Sequence, residues 1–188
     1  MKRKLLVIVD VINGFINDGP MSDPSINSII PSIVNSIKDS IDNNQDIVAF
    51  LDTHEEDSLE FSAYPVHCLR NTSEAELVPE LLPFKNKMIC IEKNSTNGFH
   101  QPQFKELLNN KYNEIEVVGC CTDICVLQFT LSLKTYFNET NNDTLIYINE
   151  PSVATYDSPT HNKEEYHKMA LNLMEQAAVK IYRRSNDK

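Results

Sequence analysis

The chain is poor in glycine and has no long apolar run, and each shortage excludes a class of function. Only 4 of its 188 residues are glycine. The segment after the first apolar run, Asp10 to Phe15, contains one of them, which excludes the glycine-rich turn of a dinucleotide-binding oxidoreductase. No stretch approaches the ~20 consecutive apolar residues that a membrane span requires. We therefore expect a soluble protein that binds no dinucleotide cofactor.

Positive charge is also scarce. Lys and Arg total 17 against 27 Asp and Glu, which gives a formal net charge of −10, and no basic cluster interrupts the acidic background. Nucleic acids and anionic membranes attract proteins through clustered Lys and Arg side chains. The charge balance therefore argues against nucleic acid and against a membrane as partners.

The cysteines number five, an odd count, and they lack the paired spacing of secreted disulfide frameworks. The apolar run Leu5–Val9 stops at Asp10, and no small-residue cleavage site follows, which favours a buried first strand over a secretory signal. Free thiols are typical of reducing compartments. We therefore expect reduced cysteines and a cytoplasmic location.

Short Val- and Ile-rich segments alternate with longer amphipathic ones. Six short segments have the length of buried strands: Leu5–Val9, Ile47–Leu51, Met88–Ile91, Ile115–Val118, Leu145–Ile148 and Val179–Tyr182. Four longer segments are predicted to be helices: Ile26–Ile37, Gln103–Leu108, Thr122–Phe137 and Met169–Ala177. Apolar strands separated by helices indicate an α/β fold, a doubly wound, mostly parallel sheet of about six strands with helices on both faces. The length suits one core, so we predict a single domain over residues 1–188.

Ligands of doubly wound sheets bind beyond the carboxyl ends of the strands, so polar residues at these ends are the candidates for chemistry. Cys125 follows the strand Ile115–Val118 and lies in the first turn of the next predicted helix, which Thr122 or Asp123 is expected to cap. Backbone N–H groups there stabilise a thiolate and are donors for an oxyanion. A small buried hydrophobe is the alternative for any cysteine, but this position favours a nucleophile.

Two charged side chains end apolar strands, where an unpaired charge is costly to bury. Asp10 ends the first strand and Lys93 ends the third. For either residue alone, a structural ion pair is at least as good an explanation as catalysis. Taken with Cys125, the two residues form a candidate triad of acid/base, charge and nucleophile.

A second group of polar residues follows the second strand. Two imidazoles and two carboxylates lie within sixteen residues: Asp52, His54, Glu60 and His67. These donors suit a borderline divalent ion such as Zn²⁺, Fe²⁺ or Mn²⁺, and they leave coordination positions for water and a ligand. Asp52 and His54 are the firmer pair, since a solvated loop charge is the alternative for Glu60.

Five segments at successive strand ends resemble a known family, the isochorismatase-like cysteine hydrolases, and within it the nicotinamidases. The resemblance spans nearly the whole chain and lies in Val9–Phe15 (VDVINGF), Asp52–His54 (DTH), Tyr64–Cys68 (YPVHC), Lys93–Phe99 (KNSTNGF) and Gly119–Val126 (GCCTDICV). It implies that Asp10, Lys93 and Cys125 are the catalytic triad. It also implies a cis peptide bond between Cys120 and Cys121, and an oxyanion hole made by the N–H groups of Cys121 and Cys125.

The resemblance further implies a bound divalent metal and an aromatic substrate site. The implied metal ligands are Asp52, His54 and His67, with Glu60 where many members have a third histidine. Phe15 and Tyr64 are implied to flank the substrate ring, and Tyr64 stands where tryptophan is frequent. The expected reaction is hydrolysis of nicotinamide to nicotinate and ammonia through a cysteine thioester.

Two other interpretations remain open: an amide or ureido hydrolase of the same family with a different substrate, and a non-catalytic binding protein on the same fold. The set Asp52, His54 and His67 argues against the first, and the complete triad argues against the second. The sequence is also compatible with a homo-oligomer. His100, His161 and His167 are expected to be structural, the last two at exposed or capping positions, and the turn Tyr156–Pro159 to cap the final helix.

Overall fold

A parallel sheet forms the centre of the computed structural model, which describes residues 3–183. Within these residues the sheet has seven strands: β1 (Lys4–Val9), β2 (Asp46–Asp52), β3 (Ile89–Lys93), β4 (Glu114–Cys120), β5 (Leu145–Asn149), β6 (Val153–Ala154) and β7 (Lys180–Tyr182). Their order is β3-β2-β1-β4-β5-β7, with β6 beside β4, and all pairings between these strands are parallel. The predicted doubly wound α/β sheet is confirmed, although β6 was too short to predict.

Helices cover both faces of the sheet, as predicted. In the described part of the chain they are α1 (Asn13–Ile16), α2 (Ile30–Asp42), α3 (Pro102–Leu107), α4 (Leu127–Glu139) and α5 (Lys163–Gln176). The helices α1 and α2 pack on one face, and the other three pack on the opposite face, over two separate apolar cores. None of the described helices has the length and apolar composition needed to cross a membrane. The ends of the predicted domain, residues 1–2 and 184–188, lie outside the described residues.

The predicted helix Ile26–Ile37 is divided into two segments. Pro24–Ile29 forms a 3₁₀ helix that is capped by the side chain of Asp23, and the α-helix begins only at Ile30. A proline stands in the first turn of each segment. Proline is favoured there because the N–H group that it lacks has no partner within the helix. Each proline therefore marks a separate helix start.

The register of the central strands brings polar residues together at one edge of the sheet. Val9, the last residue of β1, is level with Gly119 in β4. Asp52, the last residue of β2, pairs with Lys93 in β3, and Asp10 directly follows β1. The carboxyl ends of four adjacent strands, β3, β2, β1 and β4, therefore form the floor of a common site.

The backbone turns sharply where β1 and β4 end. Gly119 has a φ of +117°, and a Cβ atom at this position would lie 2.0 Å from the Val9 carbonyl oxygen, so only glycine fits. The peptide bond between Cys120 and Cys121 is cis, in agreement with the resemblance. Asp10 also has a positive φ, 52°, a conformation that Asp tolerates better than most residues.

Candidate active site

Lys93 lies between two carboxylates at the edge of the sheet. Its Nζ is 2.9 Å from Asp10 Oδ2 and 2.6 Å from Asp52 Oδ1, and all three side chains are buried. Burial lowers the pKa of Lys93, but Asp10 and Asp52 raise it to well above its ordinary value. The ammonium group therefore stays charged and connects the carboxylate after β1 to the carboxylate at the end of β2.

Asp10 has the proton affinity of a base that works near neutral pH. Burial raises the pKa of its carboxyl from 3.8, and the ammonium of Lys93 opposes this effect, which leaves the pKa at about 7. An interaction with the Cys125 thiol also lowers the pKa of Asp10. General bases are most effective when their pKa lies near the operating pH. The environment of Asp10 therefore suits it to exchange a proton with the thiol.

Cys125 lies in the connection between β4 and α4 and is 5% exposed. Residues Thr122–Val126 form one wide helical turn of the π type before α4 begins. Burial raises the pKa of Cys125 well above its ordinary value, although Lys93 lowers it. The expectation that the helix start stabilises a thiolate stays a prediction, and burial and the neighbouring carboxylates of Asp10 and Asp52 act against it. A neighbouring base must remove the thiol proton.

Neither Thr122 nor Asp123 caps the helix, contrary to the prediction. Thr122 Oγ1 lies 2.9 Å from His167 Nδ1, and Asp123 Oδ2 lies 2.7 Å from His161 Nε2. His161 is buried between two tyrosine rings, so the exposed or capping position predicted for it is also wrong. Both contacts connect the turn that carries Cys125 to the chain around the start of α5.

The four candidate metal ligands come together. One donor atom each from Asp52, His54, Glu60 and His67 can be chosen so that all lie within 4.8 Å of one another. The Nε2 atoms of His54 and His67 lie 2.8 Å and 3.2 Å from Asp52 Oδ2. Glu60 accepts a hydrogen bond from the Thr96 N–H at 2.9 Å, which holds its carboxylate in place. Three of the four residues are buried, all but Glu60.

The hydrogen bonds behind the two imidazoles leave their Nε2 atoms as ligands. His67 Nδ1 donates to the Pro65 carbonyl oxygen at 2.7 Å, and His54 Nδ1 lies 2.9 Å from Asn94 Oδ1. Since a carbonyl oxygen can only accept, Nδ1 carries the proton in each ring. In each ring Nε2 then faces a carboxylate oxygen of Asp52, and a divalent cation would bind between these atoms. The residues present therefore fit a metal ion.

A pocket of about 340 Å³ reaches these groups. Its lining includes the candidate nucleophile, the expected aromatic pair and three of the four candidate metal ligands: Cys125, Phe15, Tyr64, Asp52, Glu60 and His67. The rings of Phe15 and Tyr64 have their centroids 5.7 Å and 6.2 Å from that of His67. Cys121 also lines the pocket, whereas Asp10 and Lys93 do not. One small molecule in this pocket can contact both the thiol and the metal-type ligands.

Sequence reasoning missed two parts of the site. Asn94, which orients His54, could have been found because it directly follows Lys93 at the strand end. The pocket residues Pro20–Asp23 and Tyr156–Ser158 gave no such signal, since turn composition alone does not indicate what a turn contacts. The cap of the final helix is Asn162, whose Oδ1 accepts the Glu165 N–H at 3.0 Å; the predicted turn adds one bond from the Lys163 N–H to Asp157 Oδ1 at 3.1 Å and also forms a pocket wall.

A buried thiol that can pass its proton to an adjacent carboxylate becomes a nucleophile, and this chemistry places the chain among the cysteine hydrolases of α/β fold. Comparison with known proteins gives the family. Residues 4–184 match the Isochorismatase domain, and the chain belongs to that family. The predicted family and enzyme class, a cysteine amidohydrolase of the isochorismatase-like type, are thereby confirmed.

Individual relatives agree with this assignment. Nicotinamidase 1 of Arabidopsis thaliana is 33% identical over 177 residues, which cover 83% of this chain and 71% of that protein. The crystal structure of nicotinamidase PncA from Bacillus subtilis has a TM-score of 0.80 at 25% identity and covers 95% of this chain and 98% of its own. The structure of the pyrazinamidase of Pyrococcus horikoshii in complex with zinc has a TM-score of 0.77 at 24% identity. The match covers 97% of this chain and 99% of that chain.

Proposed function

We propose that this enzyme hydrolyses nicotinamide to nicotinate and ammonia. The observation that carries the proposal is the single small pocket in which Cys125, the aromatic rings of Phe15 and Tyr64, and the cluster around His67 face the same space. A ring with an amide on one side and a nitrogen on the other matches this arrangement. The 33% identity to a nicotinamidase supports the same substrate.

The charges of the pocket favour a neutral substrate. Among its lining residues the described chain contributes no Lys or Arg, and four acidic residues line it instead: Asp23, Asp52, Glu60 and Asp157. Apart from the proposed metal, a substrate carboxylate would find no cationic partner among the lining residues, and the acidic side chains would repel it. This charge pattern supports nicotinamide over a carbamoyl amino acid, the kind of substrate expected of a ureido hydrolase.

The proposed reaction begins with proton transfer from the Cys125 thiol to Asp10. The thiolate attacks the amide carbonyl carbon, and the N–H groups of Cys121 and Cys125 donate to the resulting oxyanion. Asp10 then returns the proton to the nitrogen that leaves as ammonia, and a thioester remains. Water, deprotonated by Asp10, attacks the thioester, and the thiol re-forms as nicotinate is released. Lys93 holds Asp10 in the ionised form between these transfers.

Asp52, His54, Glu60 and His67 would hold the divalent metal. When bound, the metal supplies a Lewis acid that can bind the ring nitrogen and orient the substrate. His54 and His67 contribute Nε2 atoms, and their Nδ1 partners keep the rings in position. Zn²⁺, Fe²⁺ and Mn²⁺ are the candidate ions. The Pyrococcus horikoshii pyrazinamidase is in complex with zinc, and this supports a site of the same type here.

An amide panel tests the proposed substrate. We expect nicotinamide and pyrazinamide to release ammonia efficiently, and benzamide, which has the same shape without a ring nitrogen, to have a kcat/KM lower by at least about tenfold, equivalent to ~1.4 kcal/mol. A carbamoyl amino acid should be a poor substrate because its carboxylate would face the acidic side chains that line the pocket. Faster hydrolysis of the carbamoyl amino acid than of nicotinamide would show that the proposed substrate is wrong.

Metal analysis tests the proposed ligands. We expect the protein purified after supplementation with Zn, Fe and Mn to contain close to one ion per chain, and a His54→Ala/His67→Ala variant to contain almost none, because two of its four ligands are lost. Inductively coupled plasma mass spectrometry measures the ratio. The control is His100→Ala, which removes an exposed imidazole outside the cluster. Equal metal content in wild type and double variant would contradict the site.

The single-domain organisation over residues 1–188, the cytoplasmic location and a homo-oligomeric state remain predictions. Sedimentation velocity on the purified chain would determine the oligomeric state.

A further inference from the structure

One wall of the pocket is the turn Tyr156–Ser158, and a second segment, Pro20–Asp23, also lines the pocket. A hydrogen bond connects them, in which the Asp157 N–H donates to Asp23 Oδ2 at 2.9 Å. The other carboxylate oxygen, Asp23 Oδ1, accepts the Ser25 N–H at 2.8 Å. One carboxylate therefore caps the helix Pro24–Ile29 and also holds a segment that is distant in sequence. We call the contact between Asp23 and Asp157 the wall clasp.

The same wall is anchored at a second point, to the turn that carries the nucleophile. Tyr156 stacks on His161 with ring centroids 4.0 Å apart, and its carbonyl oxygen lies 3.0 Å from His161 Nδ1. His161 Nε2 in turn lies 2.7 Å from Asp123 Oδ2, and both of these side chains are less than 10% exposed. This anchor is short and buried, whereas Asp23 is half-buried and Asp157 is exposed. The wall clasp is therefore the weaker of the two anchors.

Asp23 is also tied directly to the expected ring-binding residue. Its backbone N–H donates to the Phe15 carbonyl oxygen at 3.0 Å. Burial raises the pKa of Asp23, but the N–H groups of Ser25 and Asp157 lower it below its ordinary value, so the acceptor is ionised at neutral pH. Hydrogen bonds with an ionised acceptor are stronger than neutral ones. The clasp thus fixes the distance between the wall and the Phe15 side of the pocket.

We propose that Asp23 is a specificity-determining residue, whose clasp on Asp157 holds the wall at the spacing of a single aromatic ring and excludes bulkier amides. The proposal rests on the proposed function. A volume of about 340 Å³ lies at the small end of ligand pockets. Because the buried Asp123–His161 contact holds the other end of the wall, loss of the clasp releases only its outer part. The pocket then widens while the nucleophile turn stays in place.

Two variants separate the effect of the hydrogen bond between Asp23 and Asp157 from the effect of losing one negative charge. Asp23→Asn keeps one oxygen acceptor for the Ser25 N–H but places an NH₂ group toward Asp157, so the clasp is lost while the cap is kept. Asp157→Asn also removes one negative charge from the lining of the pocket. The variant keeps the backbone N–H of residue 157 as a donor to Asp23, and it keeps a side-chain oxygen that accepts the Lys163 N–H. Neither residue belongs to the triad or to the metal cluster. The pair therefore isolates the hydrogen bond.

The measurement is the ratio of kcat/KM for nicotinamide to that for quinoline-3-carboxamide, a bicyclic analogue with the same ring nitrogen and amide. We expect this ratio to fall roughly tenfold in Asp23→Asn, the effect of losing one charge-assisted hydrogen bond. A lower KM for quinoline-3-carboxamide should account for most of the fall, because the widened pocket admits the bicyclic ring. Asp157→Asn should keep the wild-type ratio within twofold. An unchanged ratio in Asp23→Asn, or an equal fall in both variants, would overturn the proposal.

Hydrogen exchange gives a readout that does not depend on the substrate. After correction for intrinsic rates, exchange in the peptide 155–161 should be at least about fivefold faster in Asp23→Asn than in wild type and unchanged in Asp157→Asn. If the wild type releases no ammonia from either amide, the proposed substrate is wrong. The hydrogen-exchange measurement then tests the wall clasp on its own. Unchanged exchange in Asp23→Asn would then refute it.

Discussion

Replacement of Cys125 with alanine is expected to abolish ammonia release from nicotinamide while the fold remains intact. The substitution removes the proposed nucleophile, and loss of a nucleophile lowers kcat by a factor on the order of 10⁴ to 10⁶. Only one sulfur atom is removed from a site that is 5% exposed, so we expect a cost of about 1 kcal/mol in the free energy of unfolding. A coupled ammonia assay and urea denaturation measure the two effects.

Cys90→Ala is the matched control for this variant. Cys90 lies on β3 and does not line the pocket that contains Cys125, so its removal should leave kcat within twofold of wild type. Mass spectrometry of acid-quenched reactions adds a direct readout, because the thioester intermediate should appear in wild type and Cys90→Ala only. A Cys125→Ala enzyme with full activity, or one that still forms the adduct, would show that the nucleophile is a different residue.

Lys93→Met is expected to have the largest combined effect on stability and activity. The variant keeps the length of the side chain but removes the ammonium 2.9 Å from Asp10 and 2.6 Å from Asp52. Breaking a buried ion pair costs about 3–5 kcal/mol, because the remaining charge is left without a partner. We also expect kcat to fall by a factor on the order of 10² to 10⁴, since Asp10 is then protonated at neutral pH. Urea denaturation of the metal-free protein measures the loss of stability.

The pH dependence of this loss has a defined sign. The pKa of Asp10 is about 7 in the folded protein against an ordinary value of 3.8, so the folded state binds the proton more tightly than the unfolded chain does. The contribution of Asp10 to the free energy of unfolding is therefore complete below pH ~4 and is lost as the pH rises through 7. Without Lys93 the pKa of Asp10 rises further, and the variant should lose stability with rising pH over a wider range than wild type.

A second substitution separates the two roles of Lys93. Asp10→Asn in the Lys93→Met background removes one of the two carboxylates that the ammonium contacts, so it should restore part of the lost stability. Activity should stay absent, because the double variant also lacks the base. If the double variant is no more stable than Lys93→Met, the charge of Asp10 is not the cause of the destabilisation.

The candidate site residues at the ends of apolar strands could be located from the sequence. Asp10, Asp52 and Lys93 directly follow or end runs that must be buried, and the carboxyl ends of parallel strands meet at one edge of the sheet. A charged residue at such a position needs a partner, and a structural ion pair was the alternative to a site for Asp10 and Lys93. The structure brings these three side chains into direct contact through Lys93.

Other features depend on contacts between distant parts of the chain and could not be predicted. Asp23 and Asp157 lie in unrelated turns, and only the packed sheet brings them within hydrogen-bonding distance. The capping prediction for Asp123 failed because His161, which follows in the chain by 38 residues, binds its carboxylate instead. The sequence also did not show the burial and the neighbouring carboxylates that raise the pKa of Cys125, which act against the ~0.3–1 kcal/mol that a helix terminus contributes.

The strand order has a consequence for how activity depends on folding. Lys93, Asp52, Asp10 and the turn with Cys125 come from β3, β2, β1 and β4, which are neighbours in the sheet but are spread over more than 100 residues of chain. No hairpin, helix pair or other local fragment contains the proposed triad. The proposed catalytic centre exists only after β1 has paired with β2 on one side and β4 on the other, and β2 with β3. Recovered enzyme activity during refolding is therefore a signal of completed assembly of the central sheet, whereas recovered helical signal is not.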